Sequence, residues 1–105
     1  MRLSELGSAL AAFGGIDPGA MPLHHVQILT LIATQGSVTY AQIEKELGLS
    51  NAAVSRSLNA LSDQVRHRST CADLVEIYRD PAEGRRYRAR LSRKGAALFR
   101  IIENI

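Results

Sequence analysis

The sequence predicts a mainly α domain with a small β-hairpin, in the order helix-helix-helix-helix-strand-strand-helix. Three observations point there. Apolar residues recur at three- and four-residue steps in successive segments from Leu3 to Leu61, the spacing of one helix face. The period drops to two at Val75, where apolar and polar residues alternate, as along a half-buried strand. Between two such runs lies Asp80-Pro81-Ala82-Glu83-Gly84, a turn in which proline fixes one dihedral and glycine frees another.

The first helix, 2–13, carries Leu3, Leu6, Leu10 and Phe13 as one stripe, and Gly14-Gly15 ends it. Asp17-Pro18-Gly19 continues the break as a loop. Pro22 suits the first position of a second helix, which carries Val26, Ile28 or Leu29, Ile32 and Ala33 until Gly36 closes it. Thr39-Tyr40-Ala41-Gln42 fits a capping box, the hydroxyl and the amide each satisfying a free backbone N–H. Tyr40, Ile43 and Leu47 line the third helix, and Gly48 stops it where a left-handed residue costs least. Leu49 fills the corner. Ser50 caps the fourth helix, with Val54, Leu58, Leu61 and Val65 on its buried side, so this helix spans 50–65 or runs on through Arg68.

After a polar stretch over 66–73, Val75 and Ile77 alternate with Glu76 and Tyr78. Arg86, Arg88 and Arg90 then alternate with Tyr87, Ala89 and Leu91, a return strand with one basic and one apolar face. Ser92 caps a last helix whose Leu98, Phe99, Ile101, Ile102 and Ile105 exceed a single narrow stripe.

A length of 105 residues suits one domain over 1–105, without room for a separate catalytic unit. Hydrophobic residues at 46% and charged residues at 22% exclude a disordered tail. The apolar runs are far shorter than the ~18–20 residues of a membrane span, and the first fifteen residues lack the pattern of a secretory signal. The expectation is a cytoplasmic protein that contacts no membrane. Residues 1–55 hold two cations against four acids (−2), whereas 56–105 hold eleven cations against six acids (+5). Ten of those eleven are arginine, which forks onto phosphates and base edges. A solvated basic surface would have the same composition, so position along the chain decides.

Two short helices joined by a glycine turn and followed by a hairpin describe a winged helix-turn-helix. Ile43, Leu47, Leu49 and Val54 pack the two helices together. Small and polar residues lie opposite them: Ser50, Asn51, Ala52, Ser55 and Arg56. Such residues allow close approach to a groove and hydrogen bonds to bases or phosphates. The run IEKELGLSNAAVSRSLNAL, 43–61, resembles the helix-turn-helix of the multiple-antibiotic-resistance (MarR) regulators, and DPAEGRRYRARLSRKG, 80–95, is similar to their wing. The likeness extends over 22–105.

This resemblance implies a DNA-binding transcriptional regulator, in the simplest reading a repressor, that binds pseudo-palindromic double-stranded DNA as a homodimer. It places Ser50, Asn51, Ala52, Ser55, Arg56 and Asn59 at the major groove through the 50–65 helix. The 80–90 wing enters the minor groove through Arg85, with Arg86 and Arg88 beside it and Asp80 holding the turn. A small-molecule effector is implied by the family without residues to assign to it. The chain departs from the family pattern in four respects. Residues 65–73 form a longer, polar junction than the family's usual short glycine-containing step into the strand. Glu44 stands where many such motifs have alanine, which either widens the helix packing or sends the side chain outward. Glu83-Gly84 replaces the common acidic-plus-basic wing pair. The chain ends at Ile105, where the family has a longer C-terminal helix pair. Segments 1–13 and 94–105 then act as dimerisation helices, or else merely cover their own core.

Other residues carry less. Arg90 and Arg93 are peripheral phosphate contacts or plain surface, and Tyr78 and Tyr87 pack under the wing. His24 and His25 point about 100° apart on a helix and grip one ion poorly. His67 and Cys71 lack two further ligands nearby, so no metal and no cofactor are expected. Cys71 among Arg66, His67 and Arg68 is either a redox sensor or incidental. No catalytic constellation occurs, so the chain is not expected to be an enzyme. The competing function is a winged-helix module that docks on a protein without reading DNA sequence.

Overall fold

The computed structural model describes residues 1–16, 21–62 and 72–105. Its elements run α1 (Leu3–Gly14), α2 (Leu23–Gln35), β1 (Val38–Thr39), α3 (Tyr40–Leu47), α4 (Asn51–Leu61), β2 (Val75–Arg79), β3 (Tyr87–Leu91) and α5 (Arg93–Glu103). The strands form one antiparallel sheet in the order β1-β3-β2. The expected mainly α winged helix-turn-helix is present.

The sheet holds one strand more than expected. Val38 pairs with Ala89 and Thr39 with Arg88. Two residues are too few to show a period of two, and Thr39 also serves as the α3 cap, which masks the strand. Its hydroxyl accepts from the Gln42 amide at 3.2 Å, and the Thr39 amide donates to the Gln42 side chain at 2.7 Å, the expected reciprocal cap. Pro22 stands just before α2 rather than at its first position, with ψ 145°.

The core forms where α2, α3 and α4 meet the inner face of the sheet. Ile28, Leu29 and Ile32 come from α2, Ile43 from α3, and Val54, Leu58 and Leu61 from α4; Val75 and Ala89 close it from the strands. Phe13 of α1 meets Phe99 of α5 edge-on, ring centroids 5.6 Å apart, a favourable aromatic geometry.

The α1 stripe divides along its length. Phe13 and Ala9 are buried, but Leu3 is 84% exposed, and Leu6 and Leu10 also face solvent. Spacing identified the apolar side of the helix without saying what covers it. In α5, Leu98 and Phe99 are buried while Ile101 stays exposed, and Ile105 beyond the helix does too.

The fourth helix is shorter than the expected 50–65. It ends at Leu61, and Ser62 is extended at φ −97° and ψ 179°. There the chain leaves the helix to bridge Val75, and the Leu74 amide donates to the Leu61 carbonyl at 2.8 Å. Tertiary pairing with the start of β2 therefore overrides a helical pattern that continues in the sequence. The 17–19 loop, the burial of Val65, and His67 and Cys71 lie outside the described residues.

Candidate nucleic-acid interface

The helix-turn-helix is fixed by backbone chemistry at its corner. Gly48 adopts φ 65° and ψ 34°, and its amide donates to the Glu44 carbonyl at 2.9 Å. This left-handed conformation suits glycine because a Cβ would crowd the backbone. Two residues on, the Ser50 hydroxyl accepts from the Ala53 amide at 3.1 Å and starts α4. Val54, Ser57, Leu58 and Leu61 turn inward. Ser50, Asn51, Ala52, Arg56 and Asn59 are exposed, and Ser55 is half-buried. All six side chains picked from the sequence thus lie away from the core.

The wing is tied down at Asp80, which is buried although charged. Its Oδ1 accepts from the Ala82 amide at 2.9 Å, and its Oδ2 faces Arg86 Nε and Arg88 Nη1, each at 3.3 Å. The backbone closes the same turn, the Asp80 amide donating to the Arg86 carbonyl at 2.8 Å. The Ala82 amide does most to hold the Asp80 carboxyl below its ordinary value of 3.8; burial opposes it, while Arg88, the Glu83 amide and Arg86 reinforce it.

Because the native value is the depressed one, the ionised carboxylate stabilises the fold at every pH above the ordinary value. That contribution disappears as pH falls below ~4 and through the native value. The thermal midpoint should fall over this acid range, and Asp80→Asn should remove that part of the fall. An identical acid profile in the variant would show that Asp80 does not fasten the wing.

The three wing arginines separate. Arg85 is exposed, and its side chain has no hydrogen bond or ion pair among the described residues. Arg86 is half-exposed while paired to Asp80. Arg88 points into the protein, contrary to its expected place on a basic outer face. Its Nε donates to Ser37 Oγ at 2.7 Å, its Nη2 to the Ser37 carbonyl at 3.3 Å, and its Nη1 to Asp80. The Tyr78 hydroxyl meets the same Ser37 hydroxyl at 2.7 Å. Alternation gave Arg88 the face opposite Ala89 correctly, but on that face Ser37, just before β1, and Asp80 bind its guanidinium.

Arg90 bonds Glu76 Oε1 at 3.0 Å and lies 4.4 Å from the Tyr78 ring centre. Tyr78 is half-buried as expected; Tyr87 is more exposed, with Arg79 5.2 Å from its ring centre. Tyr40 stands 6.5 Å from Tyr87, and burial, followed by Tyr87, raises its phenol above the usual value.

Between the two halves runs a groove of about 430 Å³, with Tyr40, Glu44 and Asn51 on the helical side and Arg85, Arg86 and Tyr87 on the wing side. Glu44 reaches outward: Asn51 Nδ2 donates to its Oε2 at 3.2 Å. His24 and His25 meet edge-on, centroids 4.6 Å apart, beside a hollow of about 420 Å³ that Arg56 also lines. Among the described residues no three His, Cys, Asp or Glu side chains group as metal ligands, and no helix is long and apolar enough to cross a membrane.

A sequence profile of the bacterial arsR-family regulatory proteins matches residues 25–64, less than half of the chain. No curated protein matches by sequence. Solved structures match over nearly the whole chain. MarR from E. coli in complex with operator DNA is 18% identical, with a TM-score of 0.65, over 96% of this chain and 67% of that one. RV1404 from Mycobacterium tuberculosis is 17% identical at TM-score 0.72, over 95% and 62%. PcaV from Streptomyces coelicolor, solved with its natural ligand, is 16% identical at TM-score 0.65, over 97% and 67%. The chain therefore spans about two thirds of the length of these proteins. With helices, wing and three-stranded sheet in this arrangement, the chain has the winged helix-turn-helix fold of the MarR regulators.

Proposed function

We propose that the chain is a cytoplasmic, DNA-binding transcriptional regulator without catalytic activity that acts as a homodimer. Residues 50–61 enter a major groove and the 80–90 wing reaches a neighbouring minor groove. One observation carries this reading: the exposed start of α4 lines an open groove through Asn51, and the far side of that groove is a wing whose Arg85 is unpaired among the described residues. Operator DNA in the MarR complex supports it by likeness of fold.

Ser50, Asn51, Ala52, Ser55, Arg56 and Asn59 are the proposed groove contacts, and Arg85 with Arg86 the proposed phosphate and minor-groove contacts. Arg88 has the separate role of bracing the wing. Two-fold pairing of protomers would set the α4 helices about 34 Å apart, one turn of duplex. The exposed leucines of α1 and isoleucines of 94–105 support a dimer contact there.

Mobility shifts of random duplexes at two salt concentrations test this reading. Binding should weaken steeply with salt because phosphate neutralisation releases counterions. Arg85→Ala should weaken all sequences alike and lower the salt slope by about one, with the thermal midpoint unchanged. Arg88→Ala should instead lower the midpoint, because the Asp80 carboxylate and Ser37 lose a shared donor; Arg88→Lys should rescue it only in part, since lysine lacks the planar fork. Equal midpoints for Arg85→Ala and Arg88→Ala would overturn the division of roles. No shift of any duplex at low salt would leave the fold as a protein-docking module.

A further inference from the structure

Glu44 is a carboxylate in a groove otherwise lined by arginines, tyrosines, Ala41 and Asn51. Like charge makes it unfavourable beside phosphates, so its contribution must come from elsewhere. Among the described residues the Glu44 side chain has one partner, the Asn51 side chain at the first residue of α4. An ionised carboxylate only accepts hydrogen bonds, whereas an asparagine amide donates from one end and accepts at the other. Facing Glu44, the amide must present Nδ2 inward, which leaves Oδ1 directed away from the carboxylate. The orientation thus follows from the chemistry of the pair.

We propose that Glu44 is a positioning residue for base recognition: it fixes the Asn51 amide so that Oδ1 accepts from an exocyclic amino group in the major groove, the N6 of adenine or the N4 of cytosine. Those amino groups are the major-groove base donors, while guanine and thymine present acceptors at the corresponding edge. The inference rests on the reading of α4 as the helix in the major groove. Glu44 also penalises duplexes that offer no such donor, because with Nδ2 held inward Asn51 Oδ1 then faces a base acceptor, a repulsive contribution to specificity.

The experiment is selection of bound duplexes from a random pool, followed by affinity measurement on single-base variants. The wild type should enrich adenine or cytosine at one position on one strand of each half-site, and replacement by guanine or thymine should cost roughly tenfold in affinity. Glu44→Lys offers only donors, so Asn51 must turn its Oδ1 inward and its Nδ2 outward. The preference at that one position should reverse to guanine or thymine, with the other positions unchanged. Glu44→Gln, which offers either end of its own amide, should relax the position and strengthen binding to random DNA severalfold. In an Asn51→Ala background, Glu44→Lys should no longer change the base preference, a result that a general charge effect would not give. Unaltered preferences in both Glu44 variants would overturn the positioning role and leave DNA binding intact. A wild type that binds no duplex at low salt would remove both readings together.

Discussion

Replacing Gly95 by alanine should destabilise the fold by about 2–3 kcal/mol, the cost of forcing an extra carbon into a packed site, with a fall in thermal midpoint on the order of 10 °C. Gly95 is buried near the start of α5, and a Cβ built there would sit 2.2 Å from the Leu74 carbonyl oxygen and 3.3 Å from the Leu91 side chain. Backbone is what it meets, and this stretch of backbone has little freedom to move. The Leu74 carbonyl accepts from the Ser92 amide at 2.9 Å, the Ser92 hydroxyl donates to the Asp73 carbonyl at 2.7 Å, and the Gly95 amide donates to that hydroxyl at 3.0 Å. Retreat of α5 with its cap would stretch the two bonds from Ser92, and retreat without the cap would stretch the bond from Gly95 to Ser92. Helix propensity acts the other way, favouring alanine by ~1 kcal/mol, so the sign of the result tests the close approach itself. Gly7, in α1 with open space around it, is the control: Gly7→Ala should stabilise by ~0.5–1 kcal/mol. Denaturant titration of both variants reads the difference, and a stabilised Gly95→Ala would mean that α5 does not rest on Leu74.

Local chemistry was readable in the sequence wherever it is completed within a few residues. The Thr39/Gln42 cap, the left-handed Gly48, the Ser50 and Ser92 caps and the Asp80 turn all occur where the residue types demand them. So does the inward side of α4, because one helical period decides it. What escaped involves partners distant along the chain. Ser37 and Arg88 are fifty-one positions apart, and no spacing rule joins them, so alternation alone gave Arg88 an outer face. The end of α4 at Leu61 depends on Val75, which captures Ser62 in a bridge. Glu44 was identified as an anomaly, with its direction left open, since only the turn geometry brings Asn51 within 3.2 Å of it. The candidate interface was therefore legible as a set of exposed α4 residues, while the division of the wing arginines into outward, shared and inward required the fold.

Introducing acids at Leu10 and Ile101 together should convert the proposed dimer to a monomer and cut affinity for a two-site duplex by more than about a hundredfold. The monomer holds one half-site, whereas linked protomers gain the second contact at high effective concentration. Both side chains already face solvent, Ile101 at 62% exposure, so glutamate at either position leaves the described core of its own protomer unchanged. In a contact between copies the same substitutions act four times, twice in each chain. Each forfeits the ~1.5–3 kcal/mol of a buried Leu or Ile and adds a desolvated charge. Two-fold symmetry places each patch against its own equivalent or its neighbour, so introduced acids also repel one another across the axis. Sedimentation at micromolar concentration and circular dichroism separate the outcomes: half the mass with an unchanged helical spectrum is expected. A variant that keeps the wild-type mass and duplex affinity would place the dimer contact elsewhere, and leave the leucines of α1 as the cover for some other part of a longer assembly.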